Sequence, residues 1–307
     1  MSFFKCISLS DESVVTPPCA SVLCLGNFDG VHLAHQELLN SALHLRKTHF
    51  PKAACAVFCF EEPSSDYLLP HPPAHLSTLR QKMQYFAKLG IEYLFVADFE
   101  AMRNLTPSEF ANNILKKQCN CVAAVCGFNY RFGKHGSGTA DQLQQLLNTP
   151  AFVQPEITSE GKTVSSTEIR ALLSDGQVDR AAQLLTRPYC FEAEVVHGKS
   201  LGHTIGVPTI NQFFPPKALI PKHGVYVTDC EIDGKIYRGV SNVGIHPTVD
   251  HDARVNCETH LLGISQNLYG RTIKISFLYF LRPEQKFTSL EELCNQLQAD
   301  IQAAKEI

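Results

Sequence analysis

Hydrophobic positions follow two regimes along the chain. Between about residue 20 and residue 185, short unbroken apolar runs alternate with stretches whose apolar residues recur at helical spacing. The runs at 21–25, 54–60, 93–97 and 121–126 predict strands, and the patterns between them predict helices over 35–46, 78–89 and 107–115. Such alternation is what a parallel, doubly wound sheet with crossover helices requires. Ligands of these sheets bind beyond the carboxyl ends of the strands, where residues 27–35 and 127–138 both fall. Two distant loops are therefore expected to converge.

After Gln177-Val178-Asp179-Arg180-Ala181-Ala182-Gln183-Leu184-Leu185 the pattern changes to short β-like runs separated by turn residues. The boundary is placed near Arg187-Pro188, giving domains 1–186 and 187–307. Runs at 192–196, 224–232, 236–243, 255–262 and 271–280 predict strands, with Asp233-Gly234 as a hairpin signal. Five or six such strands suggest a small β-barrel. Ser289-Leu290-Glu291-Glu292 then caps an amphipathic helix running to about Lys305.

Composition narrows the function classes. The 307 residues suffice for two cores, and 44% hydrophobic with 19% charged residues describes an ordinary globular chain. No apolar run approaches the roughly 20 residues of a membrane helix, so no membrane span is expected. A net charge of -3 supplies no sequence-wide basic field, which disfavours nucleic acid and favours small-molecule partners. The twelve cysteines are scattered, many within apolar runs, and read as reduced core residues. Cys119, Cys121 and Cys126 come nearest to a ligand cluster but lack zinc spacing, so no structural metal is expected. The first residues lack the charged start and apolar core of a secretory signal, which points to the cytoplasm. Nothing in the sequence sets the oligomeric state.

The most informative segment is Leu25-Gly26-Asn27-Phe28-Asp29-Gly30-Val31-His32-Leu33-Ala34-His35, where an apolar strand runs into a helix. Backbone N–H groups and the positive helix end converge at such a junction, and His32 and His35 share one side of it, so a phosphate fits there. A histidine near a helix start is more often a surface or capping residue; the constellation of Gly26, Asp29 and two histidines argues otherwise. The segment resembles the G-x-F-D-x-x-H-x-G-H signature of nucleotidyltransferases that move AMP from ATP, with Ala34 where the family has Gly. Gly127-Phe128-Asn129-Tyr130-Arg131-Phe132-Gly133-Lys134-His135-Gly136-Ser137-Gly138 reads as a flexible surface loop or as a ligand loop with aromatic faces and backbone amides. Ser165-Ser166-Thr167 opens a helix containing Arg170, a guanidinium suited to departing pyrophosphate.

Taken together and in order, these pieces resemble the bacterial bifunctional riboflavin kinase and FMN adenylyltransferase, or FAD synthetase, over nearly the whole chain. Leu79-Arg80-Gln81-Lys82 with Leu89-Gly90-Ile91 belongs to the match. So do Gly206-Val207-Pro208-Thr209-Ile210-Asn211, Gly239-Val240-Ser241-Asn242-Val243-Gly244, Pro247-Thr248, Glu258-Thr259-His260-Leu261-Leu262 and Phe280-Leu281-Arg282-Pro283-Glu284. The resemblance implies a Rossmann-like nucleotidyltransferase domain followed by a β-barrel kinase domain, with ATP, riboflavin, FMN and FAD as substrates or products. His32, His35 and Arg170 would stabilise the triphosphate while Asn129 orients substrate. Gly26, Asn27, Phe28, Asp29, Ser165, Ser166 and Thr167 would bind nucleotide or flavin.

In the second domain, the resemblance implies that the Gly-rich stretch with Gly198, Lys199, Gly202 and Gly206 covers ATP phosphates, that Pro208 and Arg282 contribute to binding, and that Thr209 and Asn211 give oxygen ligands to Mg2+. Glu258 lies in a strand-like segment, where an inward-facing carboxylate needs a reason. The family role is to accept the proton of the riboflavin 5′-hydroxyl, and a solvent-facing strand glutamate is the plain alternative. Departures from the family pattern are Leu201 and His203 in place of basic residues, Glu61-Glu62-Pro63-Ser64 in place of P-H-P, and Tyr130 in place of Phe. They motivate two further readings: one retained activity, or a flavin-binding regulator without turnover.

Overall fold

The computed structural model describes residues 4–9, 17, 19–198, 206–246, 254–264 and 266–307. The chain divides into two compact units: residues 1–73 with 77–165, and residues 74–76 with 166–307.

The first unit is built on a parallel sheet of six strands: β1 (Lys5–Ser8), β2 (Ser21–Leu25), β3 (Ala54–Phe60), β4 (Tyr93–Ala97), β5 (Cys121–Gly127) and β6 (Ala151–Gln154). Their spatial order is β1-β4-β3-β2-β5-β6. The order in which the chain adds strands thus reverses between β2 and β5, the switch point at which α/β sheets open a crevice at the strand ends. Every residue of β2 is buried because both faces are covered, which is why the strand reads as an unbroken apolar run rather than an alternation. Val22 and Cys24 face a layer containing Leu38, Leu39 and Ala42 of helix α1 (Leu33–His49) and Phe86 of α2 (Leu79–Lys88). Leu23 and Leu25 face the opposite layer, with Phe110, Leu115 and Leu143, the last on α3 (Ala140–Leu147). The helix expected at 107–115 begins at Pro107 but widens into a π-helix, Phe110–Gln118, closed by Cys119 N donating to Ile114 O. All twelve cysteines are free thiols, eight of them buried.

The second unit holds six antiparallel strands: β7 (Tyr189–Glu194), β8 (Ile210–Phe213), β9 (Gly224–Ile232), β10 (Lys235–His246), β11 (Arg254–Leu261) and β12 (Thr272–Arg282). Their order is β7-β12-β9-β10-β11-β8. Val196 N, just beyond β7, donates to Asn211 O of β8 at 2.8 Å and nearly closes the ring into a barrel. The expected hairpin at Asp233-Gly234 joins β9 to β10. Sequence periodicity missed β8, whose four residues include two polar ones. Gln212 is wholly buried, its amide donating to Ala193 O and Ile273 O, so the core absorbs it as a hydrogen-bonded strut rather than an apolar side chain. β7 begins at Tyr189 rather than residue 192, since Tyr189 and Phe191 both point into the core.

The expected boundary at 186/187 differs from the division of compact units at 165/166. Helices α4 (Ser166–Ser174) and α5 (Val178–Leu185) bury Ile169, Leu172, Leu173, Val178, Ala181 and Leu185 in the same core as Tyr189, Phe191 and Phe277 of the barrel. Their amphipathic faces belong with the barrel, although their pattern resembles the helices before them. Residues 74–76 also join this unit, with His75 paired beside Ala218 and Leu219 N donating to His75 O. The C-terminal helix α6 (Leu290–Glu306) covers the outer barrel face through Ile301 and Ala304 against Val225, Val227 and Val240.

Candidate functional site

In the first unit, β2 ends at Leu25 and the chain reaches α1 through a tight turn. Phe28 and Val31 lie at φ +51° and +42°, backbone conformations that cost non-glycine residues energy, most of all a β-branched one. Hydrogen bonds from a neighbouring segment hold this turn. Ser77 N and Oγ donate to Asp29 Oδ1 at 3.1 and 3.3 Å; Gly30 N donates to Ser77 Oγ at 2.9 Å; Lys82 Nζ donates to Asn27 O at 3.0 Å. Thr78, which caps α2 through a reciprocal pair with Gln81, fixes the helix that delivers Lys82. Asp29 and Asn27 thus shape the turn, while Gly26 sits against the Phe28 ring.

His32 immediately precedes α1 without capping it, so its imidazole is not spent on the helix end. The His32 and His35 rings stack with centroids 3.6 Å apart and planes 19° from parallel. Phe28 has no exposed surface; packed edge-on against Phe86 and 5.1 Å from His35, it supports the histidine pair from the core rather than offering a face to a ligand. Burial, then the neighbouring His32 and the Lys82 ammonium, hold His35 well below the ordinary histidine range. His35 is therefore a neutral imidazole at pH 7, able to donate a hydrogen bond without carrying a charge.

The loop after β5 leaves the adjacent strand at the same sheet edge, since Leu25 and Cys126 are register partners. Asn129 is exposed there, and Tyr130 N closes a turn onto Gly127 O. Of the loop aromatics, Tyr130 stacks on Phe132, which packs in turn on Phe110, and burial pushes the Tyr130 hydroxyl up. Phe128, half exposed, is the aromatic that presents a free face. Ser166, Thr167 and Arg170 stand on α4 in the second unit, where Arg170 Nε donates to Ala74 O at 2.7 Å; Ser165 ends the first unit.

In the barrel, cross-strand register assembles the second constellation. Asn211 of β8 and Asn242 of β10 are the two partners of Glu258 on β11, so the three side chains share one face. That face is the outer one. Cys257 and Thr259 point into the core, and strand alternation turns Glu258 outward, correcting the expectation of an inward carboxylate. Asn256, on the same face, donates from Nδ2 to Asn211 Oδ1 at 3.3 Å and to Glu258 Oε1 at 3.2 Å. A Cβ at Gly198 would collide with the Asn211 amide, so the chain entering the Gly-rich stretch needs glycine there. Pro208 O accepts from His260 Nδ1 at 2.8 Å, and Gly206 is exposed nearby in sequence. Thr209 lines a cavity of about 400 Å³ with Ile210, Thr259, Leu261 and Tyr269, whose ring stacks on His197 at 3.8 Å. Arg282 makes a bidentate pair with the buried Asp300, Nη2 to Oδ2 at 2.7 Å, which ties α6 to the barrel. The expected phosphate-covering residues Lys199 and Gly202, the departures Leu201 and His203, and Pro247-Thr248 lie outside the described residues.

Residues 15–168 match the FAD synthetase family model and residues 185–307 the riboflavin kinase model. A bifunctional riboflavin kinase/FMN adenylyltransferase of Bacillus subtilis is 33% identical over 92% of this chain and 91% of its own length. One from Escherichia coli is 35% identical over 94% of this chain and 93% of its own. The chain belongs to the bifunctional riboflavin kinase/FMN adenylyltransferase family. A crystal structure from Streptococcus pneumoniae, described as a macrolide-efflux protein, shares 31% identity with a TM-score of 0.91 over 98% of this chain and 99% of that one. Its fold is the fold of this family member. Among the described residues no helix is long and apolar enough to cross a membrane. The residue that sequence reasoning passed over is Lys82, quoted in a matching motif without a role; a lysine one turn inside a helix signals nothing until its burial is seen.

Proposed function

We propose that this chain makes FMN from riboflavin and ATP in the barrel unit, and FAD with pyrophosphate from FMN and ATP at the α/β sheet. The observation that carries the reading is that one chain, matched by both family models, carries a stacked histidine pair at a helix N-terminus and a carboxylate aligned with two asparagines on a barrel strand. In the kinase step, the riboflavin 5′-oxygen bonds the γ-phosphorus as the bond to ADP breaks, and Glu258 takes the hydroxyl proton. Asn256 steadies the carboxylate through its amide. Thr209 and Asn211 offer hard oxygen donors of the kind Mg2+ accepts, and the ion, when bound with ATP, would neutralise phosphate charge.

In the second step an FMN phosphate oxygen bonds the α-phosphorus of ATP and the bond to pyrophosphate breaks. The nucleophile is already an anion, so no strong base is required. Positioning and charge stabilisation dominate, with donors from His32, neutral His35 and the α1 N-terminus. Asn129 orients substrate from the neighbouring loop. Arg170 and the hydroxyls of Ser165, Ser166 and Thr167 keep their pyrophosphate role on family resemblance, and Arg170→Ala tests it. Consumption of ATP in both steps fits a cytoplasmic enzyme acting on small molecules.

Purified protein incubated with riboflavin, ATP and Mg2+, then chromatographed, decides the reading. FMN and FAD together are expected. A single product would indicate one retained activity, and bound flavin without product a regulator.

A further inference from the structure

Lys82 is 3% exposed, yet among the described residues no carboxylate pairs with it; its hydrogen bond is to a neutral acceptor, Asn27 O. A buried ammonium held by one carbonyl costs stability, and buried charges in folded proteins are ordinarily paired. Its surroundings do not repay that cost. Asp29 of the same turn accepts Ser77 N and Oγ, and the groups that feel the ammonium are His35 and the Cys59 thiol near the end of β3. The charge is therefore lodged between the ends of β2 and β3, beside the histidine pair and the uncapped start of α1. Lys82, the histidine pair and the start of α1 bring hydrogen-bond donors and positive potential to one place, where an anion would supply the opposite charge.

We propose that Lys82 is a phosphate-binding residue of adenylyl transfer, whose ammonium pairs with the part of ATP that departs as pyrophosphate. This rests on the reading of the first unit as the adenylyl-transfer site. The competing role is a prop that merely ties Asn27 O and the strained turn. The two roles make opposite demands on a neutral, similarly shaped side chain. Relief of an uncompensated charge should leave Lys82→Met as stable as the parent or more so, whereas loss of a prop should destabilise it.

The experiment measures pyrophosphate affinity by titration calorimetry, and melting without nucleotide, for the parent, Lys82→Met and Lys82→Arg. Riboflavin kinase activity of each sample serves as the folding control. The expected result for Lys82→Met is undiminished melting temperature, pyrophosphate binding weaker by about tenfold to a hundredfold, the scale of one charge-assisted hydrogen bond, and intact FMN formation. Lys82→Arg, which keeps the charge, should recover part of the affinity. Unchanged pyrophosphate affinity in Lys82→Met, or a lowered melting temperature with affinity no better in Lys82→Arg, overturns the proposal. Failure of the underlying reading shows separately, as undiminished FAD formation by His32→Ala.

Discussion

The turn that carries His32 and His35 and the strand that carries Glu258 place chemistry in opposite ways. The turn concentrates its groups within ten residues of chain and pays in backbone strain at Phe28 and Val31, in burial of the Phe28 and His32 rings and in burial of the Lys82 ammonium brought to it by α2. The barrel draws its groups from three strands separated by nearly fifty residues, and ordinary cross-strand register aligns them without a strained residue. A local site is therefore sensitive to whatever supports its few residues. A distributed site depends on the integrity of the sheet.

Glu258→Gln should separate the two most sharply. It keeps the size and a hydrogen-bonding group but removes the proton acceptor, so FMN formation should fall by about a hundredfold to ten-thousandfold. FAD formation from supplied FMN should hold at the parental rate, measured by chromatography of each product. A kinase rate within a few-fold of the parent would return Glu258 to the status of a solvent-facing strand residue. Asp300→Ala attacks the sheet's integrity instead. It strands Arg282, whose side chain is 17% exposed, and also removes the acceptor of Gln296 Nε2. A loss of about 3–5 kcal/mol is expected, read as a lower denaturation midpoint of the barrel with kinase activity falling alongside. An unshifted midpoint would mean that the pair does not anchor α6.

His32→Ala is the local counterpart. Removal of one donor from a charge-stabilising site costs about a hundredfold or more in rate, so FAD formation should fall by that factor while FMN formation survives. Normal FAD synthesis would remove His32 from the reaction.

How much of this could be read beforehand follows from the same contrast. The four central strands of the sheet and the histidine turn were legible because burial on both faces writes an unbroken apolar run and because the turn is contiguous. β8 and the outward direction of Glu258 were not, since a strand's face is fixed by register with partners far away in sequence. The helices α4 and α5 carried the right period but no mark of which core they would join; Ile169 and Val178 would suit either. Lys82 was invisible for a related reason, because only folding reveals that a lysine has lost its solvent. Phe28 looked like a ligand-facing aromatic within the motif and proves to be the floor beneath His35.

The smallest effect concerns the pH dependence of the strained turn. Burial, His32 and Lys82 depress the His35 pKa in the folded chain below the value of about 6.5 expected when unfolded. Above that pH both forms are neutral at this ring and the contribution is flat. As pH falls through 6.5 the unfolded chain takes up a proton that the folded one refuses, so stability declines with acidification, by at most about 1.4 kcal/mol per pH unit for one proton. The slope reaches that ceiling only where the unfolded ring is fully charged while the folded one is still neutral. Denaturant titrations of the parent and of His35→Gln between pH 7.5 and 5.5 isolate the effect. The variant should lose less stability over the interval, in the transition of the first unit, while the barrel transition moves equally in both proteins. Equal slopes in the first unit would show that His35 protonates freely, and a freely protonating His35 could not serve as the neutral donor that the local site requires.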